Sequence, residues 1–131
     1  MLSTPSLHPF LSHFPVALAA AGLLMMWLAN RRNDARLVQA AAFNFSAGLL
    51  MGVMAIFSGL FAVDLGQWPI AQVEGHQGYS FAFVLVTIVC TVYAYTNALS
   101  HNAFFFYIAN ALLMGTTAYS GYVLVFHSVK G

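Results

Sequence analysis

The residues of this sequence best suited to chemistry are its histidines, and two of them lie close together near the start. His8 and His13 belong to the segment His8-Pro9-Phe10-Leu11-Ser12-His13-Phe14-Pro15, at the beginning of the first long apolar run. Neutral imidazole is the commonest metal ligand among side chains, and it also exchanges protons near neutral pH. A pair of histidines at the entrance to an apolar segment therefore predicts a metal, cofactor or proton site.

The composition indicates where such a site lies. Of the 131 residues, 61% are hydrophobic and only 5% are charged, whereas a soluble domain is about 25% charged. We therefore expect an integral membrane protein. The net charge of +1 provides no nucleic-acid-binding surface. The first ten residues contain no Lys or Arg, unlike a cleaved signal peptide, so we expect the N-terminus to belong to the mature protein.

The apolar residues fall into four segments that predict membrane-spanning helices. A hydrocarbon core of about 30 Å takes about 20 helical residues, and each segment reaches that length. The predicted helices are residues 9–29, 38–63, 79–97 and 104–127. The three glycines and one proline of residues 64–78 predict a loop between the second and third helices. The expected fold is an all-α membrane protein, in which residues 1–131 form a single antiparallel four-transmembrane-helix bundle.

The basic residues predict how this bundle is oriented. Arg31, Arg32 and Arg36 all lie between the first two helices, and the opposite end of the bundle carries only Lys130. Cytoplasmic loops carry an excess of Lys and Arg. We therefore expect the first loop in the cytoplasm and both termini on the outer, periplasmic side of a bacterial inner membrane.

Small and polar residues predict which face of each helix turns inward, because such residues mark helix contacts in lipid. In each helix they recur at steps of three or four residues. The stripes are His13, Ala17, Ala20 and Ala21 in the first helix; Asn44, Gly48, Gly52, Ala55, Ser58, Gly59 and Ala62 in the second; His76, Ser80, Thr87, Cys90 and Thr91 in the third; and Asn110, Thr116, Ser120 and His127 in the fourth.

Antiparallel helices bring most of the titratable residues to one end of the bundle. The outer end collects four of the five histidines and two of the three acids, and only His101 falls at the cytoplasmic end. The outer group is His8, His13, Asp64, Glu74, His76 and His127. Histidines on facing helices of a bundle can hold haem iron axially. We expect His8, His13, His76 and His127 to supply the ligands of haem b, without assigning the axial pairs.

The spacing of the first two histidines separates their roles. Five residues turn an α-helix by about 140°, so His8 and His13 do not share a face. We expect His13 to point into the bundle core and His8 to serve a second centre, a haem propionate or the surface. A ligating imidazole needs a partner for its second nitrogen. Candidate acceptors are Ser12, Ser80, Ser120 and the carbonyl of Leu11, whose donor is removed by Pro15.

Two other interpretations of the histidine group stay open. The group could form a non-haem copper, zinc or iron site with Glu74 or Asp64 as further ligands. It could also serve packing and hydrogen bonding in a structural or assembly subunit of a larger complex. A transporter is disfavoured because neither an internal repeat nor a broken helix is evident.

Several motifs resemble a bacterial membrane family catalogued as domain of unknown function 2231. They are the HPxxxHFP motif of residues 8–15, Ser58-Gly59-Leu60 in the second helix, a histidine at the head of the third, and Gly121, Leu124, Val125 and His127 in the fourth. In that family, residues matching His8, His13, His76 and His127 recur. Some members carry a Rieske-type iron–sulfur domain after the fourth helix.

The resemblance implies a b-type cytochrome or quinone-reactive anchor that passes electrons near the periplasmic face. This would be an electron-transfer subunit rather than a free-standing enzyme, working between quinone or a neighbouring membrane subunit and a periplasmic carrier. The sequence departs from the family at two points: its first acid after the second-helix motif is Asp64, and Ser128 follows the last histidine where the family usually has glycine. Because Gly131 ends the sequence without an appended redox domain, we expect the redox partner to be a separate polypeptide.

Overall fold

The computed structural model describes the backbone of residues 4–64 and 70–127, and the side chains of residues 7–63 and 73–126. In these residues the regular structure is entirely α-helical. The helices are α1 (Thr4–Arg32), α2 (Ala35–Asp64), α3 (Ile70–Thr96) and α4 (His101–His127). Each is long and apolar enough to cross a membrane, which confirms the predicted four membrane-spanning helices. Gly66, Pro69, Ser128, Lys130 and the side chains of Asp64 and His127 lie outside the described residues.

The largest difference from the predicted boundaries is at the start of α3. The helix begins at Ile70 and runs through the segment predicted as a loop, so His76 lies within the helix rather than ahead of it. Glycines normally disfavour a helix, but a backbone in lipid must satisfy its hydrogen bonds internally. Gly75 and Gly78 have no other side chain within 4 Å of where a Cβ would lie, so no close packing contact accounts for them.

The turns are short because a polar residue caps each following helix. Asn33 adopts a left-handed conformation with φ of 52° at the end of α1, as is common after a helix C-terminus. The Asp34 side chain then accepts a hydrogen bond of 2.9 Å from the backbone N–H of Arg36 at the start of α2. At the start of α4, the Ser100 hydroxyl accepts one of 3.1 Å from the N–H of Ala103. Both are N-cap interactions.

Helices that follow one another in sequence pack side by side in the bundle. α1 packs on α2, α2 on α3 and α3 on α4, and α1 meets α4 along a smaller contact. The helices α1 and α3 therefore lie on one diagonal, and α2 and α4 lie on the other. Met26, Phe45, Cys90 and Tyr107, one from each helix, are buried together in the core.

We call the α1–α2 hairpin the first half of the bundle and the α3–α4 hairpin the second half. Several buried residues occupy corresponding positions in the two halves. Four buried positions of α1 are matched 68 residues later by buried positions of α3, and three buried positions of α2 are matched 62 residues later by buried positions of α4. The α1–α3 pairs are Pro15 and Phe83, Ala19 and Thr87, Gly22 and Cys90, and Met26 and Ala94. The α2–α4 pairs are Ala41 and Ala103, Phe45 and Tyr107, and Gly48 and Asn110. The correspondence is one of burial rather than of sequence, because most corresponding residues differ in type.

Corresponding residues meet at two levels of the bundle, as expected along an approximate two-fold axis. The rings of Phe45 and Tyr107 stack, with centroids 5.5 Å apart and planes inclined by 12°. The rings of His8 and His76 meet near the other end. Phe45 lies against Gly22, which is 14 residues after His8, or about 21 Å along the helix. The aromatic pair thus joins α2 to α4 at one end, and the histidine pair joins α1 to α3 at the other.

The predicted inward faces are confirmed for α2 and in part for α3 and α4. The α2 stripe is buried at Gly48, Gly52, Ala55 and Ala62 and half-buried at Gly59. Thr87, Cys90 and Asn110 are also buried, whereas Thr116 is exposed. The predicted face of α1 is wrong. His13, Ala17 and Ala20 are exposed, because small residues surround α1 on all sides and the alanine pattern does not distinguish its faces.

The buried face of α1 is set by the close approach of α2. A Cβ at Gly48 would lie 3.3 Å from the Leu18 Cβ, and one at Gly52 would lie 3.8 Å from the Pro15 Cβ. Glycines allow helix backbones to approach closely in membranes. The face of α1 that carries Pro15 and Ala19 therefore packs on the glycine stripe of α2.

Candidate cofactor site

His8 lies near the start of α1, in a recess formed by α2. Its Nδ1 is 2.9 Å from the carbonyl oxygen of Ala55 and 3.1 Å from the Ser58 hydroxyl. A carbonyl only accepts hydrogen bonds, so Nδ1 carries the proton and Nε2 keeps its lone pair. The ring covers Gly59, where a Cβ would lie only 2.9 Å from the imidazole Cε1. Only glycine leaves room for the ring at this position.

His76 on α3 makes the same set of contacts with α4. Its Nδ1 is 2.8 Å from the Ser120 hydroxyl. That hydroxyl donates its own proton to the Thr117 carbonyl at 2.9 Å, so it accepts from Nδ1–H and Nε2 again keeps its lone pair. The ring covers Gly121, where a Cβ would lie 3.1 Å from the imidazole Cε1.

Each histidine therefore sits in a serine–glycine notch. The notch is Ser58-Gly59 of α2 for His8 and Ser120-Gly121 of α4 for His76. The two notches are 62 residues apart in sequence, the same interval that relates the buried positions of α2 and α4. Each notch holds its imidazole by Nδ1. Such a hydrogen bond fixes the tautomer and the ring orientation of a metal-binding histidine.

The two imidazoles come from diagonal helices and lie close together. Their ring centroids are 6.0 Å apart, and their planes are inclined by 80°. Two imidazole nitrogens on opposite sides of one metal ion, each about 2 Å from it, would place the ring centres about 6 Å apart. The observed separation is close to that spacing, and the two rings meet in an edge-on contact. His8 and His76 are therefore the two imidazoles that would hold a metal group at this end of the bundle.

The number of protein ligands bears on which metal group the site suits. Among the side chains that the structure describes, no three His, Cys, Asp or Glu residues are grouped to hold a metal ion. Structural zinc takes four protein ligands and catalytic zinc three, and Glu74, the proposed additional ligand, is exposed. Haem iron takes its equatorial ligands from the porphyrin and at most two from the protein. The facing pair of His8 and His76 matches the number of protein ligands that a haem would take.

The remaining predicted site residues whose side chains the structure describes are not brought to this pair. His13 is exposed, and its Nδ1 hydrogen-bonds to the Pro9 carbonyl of its own helix. The expectation that it points into the core is wrong, because the glycine stripe of α2 selects the opposite face of α1. His101 is exposed on α4. The side chains of His127 and Asp64, both predicted in the outer group, lie outside the described residues.

The predicted hydrogen-bond acceptors are confirmed only in part. Ser120 accepts from His76 as expected. Ser12 and Ser80 instead donate to carbonyls of their own helices, as hydroxyls in membrane helices often do. The role of Ser58 was missed. Its signal was the recurrence of a Ser-Gly pair in α2 and α4, together with a His-x3-Ser pattern in α1 and α3.

Comparisons with known proteins give no relative for this chain: no family model matches it, and neither does any curated protein or solved structure. The resemblance to the family catalogued as domain of unknown function 2231 stays a prediction.

Proposed function

We propose that this protein is a membrane b-type cytochrome-like subunit, in which His8 and His76 hold one haem b between α1 and α3 and the protein passes electrons to or from it. The observation that carries this function is the facing pair of imidazoles on diagonal helices, 6.0 Å apart. Each is held by Nδ1, which leaves Nε2 as the nitrogen for iron.

The attachment is of the b type because the chain offers no covalent link to haem. A c-type attachment requires a C-x-x-C-H motif, and Cys90 is the single cysteine of the sequence. Axial ligation by two residues then accounts for the binding of the group. The predicted axial candidates His13 and His127 are not part of this proposed pair.

The residues of the two notches have a defined task in this function. Ser58 and the Ala55 carbonyl hold the Nδ1 proton of His8, and Ser120 holds that of His76. These bonds keep both rings oriented and make each Nε2 a stronger donor. The α2 and α4 glycines let the rings lie flat against the helix backbones. A bound haem would supply one-electron oxidation and reduction of its iron.

The basic residues bear on the orientation of this subunit in the membrane and so on its partners. The arginines near the α1–α2 turn favour the cytoplasm for that end of the bundle, and the histidine pair lies toward the opposite end. The site would then face the periplasmic side of a bacterial inner membrane, with both termini on that side. Quinone or a neighbouring membrane subunit would exchange electrons with it, and a separate periplasmic carrier would be the other partner.

Absorption spectroscopy of the purified protein tests the function. The full chain is expressed with a haem supply, purified in mild detergent and measured as a reduced-minus-oxidised spectrum, with a pyridine haemochrome assay for the haem type. We expect one haem b per chain with a low-spin, bis-imidazole spectrum. His8→Gly and His76→Gly should each lose that spectrum, and added imidazole should restore it.

The matched control is His13→Gly, which removes an exposed histidine five residues from His8. It should leave the spectrum and the haem content unchanged. A wild-type protein that takes up no haem, or a His8→Gly protein with the unaltered low-spin spectrum, would overturn the proposal. Imidazole rescue separates a ligand role from a packing role, because free imidazole does not repair the helix contacts.

A further inference from the structure

The second half contains a buried amide whose oxygen has no protein partner. Asn110 is fully buried in α4, and its Nδ2 donates a hydrogen bond of 2.7 Å to the Thr87 hydroxyl of α3. Its Oδ1 has no hydrogen-bond partner in the part of the chain that the structure describes. Leaving a buried polar atom without a partner destabilises a protein, so such atoms are normally satisfied by protein groups or water.

The Thr117 hydroxyl, two turns along the same face of α4, is likewise without a partner among the described residues. This is unusual within the bundle. The hydroxyls of Thr87, Thr91, Thr96 and Thr116 each donate to the carbonyl four residues earlier in their helix. Thr117 does not make that bond, although it occupies the same kind of helix. Its hydroxyl is therefore available to another hydrogen-bonding group inside the bundle.

Thr87, Asn110 and Thr117 form a line that we call the polar seam, and it leads to His76. The seam ends at Thr117, whose carbonyl accepts a hydrogen bond from the Ser120 hydroxyl. That hydroxyl in turn accepts a hydrogen bond from His76. The corresponding positions of the first half are Ala19, Gly48 and Ala55, which carry no polar side-chain atom. The shared fold does not require the seam, because the first half packs without one.

We propose that the polar seam binds water inside the membrane-spanning bundle, at the Asn110 amide oxygen and the Thr117 hydroxyl, on the side of the bundle that holds His76. Asn110 and Thr117 are seven residues apart, or about 10.5 Å along the helix, too far for a direct hydrogen bond. Two hydrogen bonds of about 2.8 Å each span at most about 5.6 Å, so a chain of two or more waters is needed to connect the two residues. The inference concerns the seam alone and holds whether or not the histidines bind haem.

Water-edited NMR on the wild-type protein in lipid nanodiscs tests this directly. Magnetisation is transferred from water to the side-chain amide of Asn110 and to the Thr117 methyl group, and the Ala55 methyl serves as the matched control from the first half. We expect transfer to both seam residues to exceed that to Ala55 at least about three-fold. Equal transfer to Thr117 and Ala55, or none to Asn110, would overturn the proposal. No substitution is needed, so folding of a variant does not enter.

A double-mutant cycle then tests whether bound water links the two residues. Asn110→Leu, Thr117→Val and the double variant are unfolded with SDS in detergent micelles, and Thr116→Val replaces Thr117→Val in the control cycle. Separated residues without a shared partner act additively. For independent residues, the change in the unfolding equilibrium constant of the double variant equals the product of the two single changes. We expect the Asn110–Thr117 double variant to differ from that product at least about three-fold, and the Asn110–Thr116 double variant to stay within about two-fold of it. Multiplicative behaviour in the first cycle would contradict a bridging water.

Discussion

The two halves of the bundle share a plan but are held together by different chemistry. In the first half, Gly48 and Gly52 of α2 bring the helix backbones close. In the second half, the hydrogen bond from Asn110 to Thr87 joins α3 and α4 instead. The histidine and its serine–glycine notch are the same in both. Features that differ between halves reflect how each half packs or is hydrated, whereas the repeated histidine and notch define a site that needs one contribution from each side.

The largest effect is expected at the aromatic pair, where the two halves meet away from the histidines. Phe45→Ala and Tyr107→Ala each remove a fully buried ring and should lower the free energy of unfolding by about 3–5 kcal/mol. SDS titration of the detergent-solubilised protein measures this loss. Tyr107→Phe keeps the ring and loses only the hydrogen bond to the Ala98 carbonyl, so it should cost about 1 kcal/mol.

A cost for the two ring deletions as small as that of Tyr107→Phe would show that the aromatic contact does not hold the halves together. The double variant that combines Phe45→Ala with Tyr107→Ala tests the contact further. Because the rings of Phe45 and Tyr107 stack on each other, deleting both should cost less than the sum of the single losses. Simple additivity would argue that the rings act independently.

A smaller effect is expected where the halves are alike, at the two glycines of the notches. Gly59→Ala places a Cβ 2.9 Å from the His8 ring, and Gly121→Ala places one 3.1 Å from the His76 ring. Each should displace its imidazole and lower the free energy of unfolding by about 1–3 kcal/mol, as overpacking does. Gly59→Ala should cost more, since its contact is shorter. Unfolding titrations and the imidazole NMR shifts report the two effects.

Gly115→Ala is the control for these substitutions. Gly115 lies on α4, six residues before Gly121, and among the described residues no side chain lies within 4 Å of its Cβ position. The added methyl should leave the histidine NMR shifts unchanged and should not lower stability, because alanine favours a helix. A His76 shift equal to that of Gly121→Ala would mean that helix propensity, and not the notch, positions the ring.

The sequence predicts the number of helices and the inward face of α2, because both follow from composition and from the spacing of small residues. It does not predict the start of α3, where the membrane environment favours a helix over the turn that glycines favour in water. The inward face of α1 was wrong for a related reason. Alanines occur on several sides of that helix, and only the contact with Gly48 and Gly52 distinguishes its faces.

For the site, the sequence identifies the right kind of residue but not the right pair. Its emphasis on His13 followed from depth within the first predicted helix, whereas the pairing of His8 with His76 depends on which helices lie on a diagonal. That arrangement is a property of the whole bundle. The serine–glycine repeat could have indicated it, since equivalent notches in α2 and α4 require equivalent partners in α1 and α3.

The next effect concerns the α3–α4 turn of the second half, where the Ser100 hydroxyl caps α4. Ser100→Ala leaves the N–H of Ala103 without this acceptor and should lower the free energy of unfolding by about 1 kcal/mol. The cost should be the same at every pH, because a hydroxyl does not titrate in the usual range. Ser100→Asp, which restores an acceptor, should recover the loss in the same SDS titration. Failure of Ser100→Asp to recover it would indicate that the cap is not the cause.

The smallest effect concerns the corresponding turn of the first half, whose cap does titrate. The backbone N–H of Arg36 donates to the Asp34 carboxylate and holds the pKa of Asp34 below its ordinary value. A carboxyl whose pKa is lower in the folded state stabilises the fold fully above its unfolded pKa of about 3.9, and the contribution is lost as the pH falls through the folded value. The first turn of α2 should therefore loosen in acid, while that of α4 should not.

Comparison of wild type with Asp34→Asn isolates this effect, because the histidines and the other acids titrate alike in both proteins. Unfolding is measured between about pH 6 and about pH 3. Wild type should lose stability relative to Asp34→Asn at the acid end, and the two should run parallel above about pH 5. Parallel curves over the whole range would mean that the exposed carboxylate gains nothing from the Arg36 N–H in the folded state. The two turns would then differ in the residue that caps them but not in their response to pH.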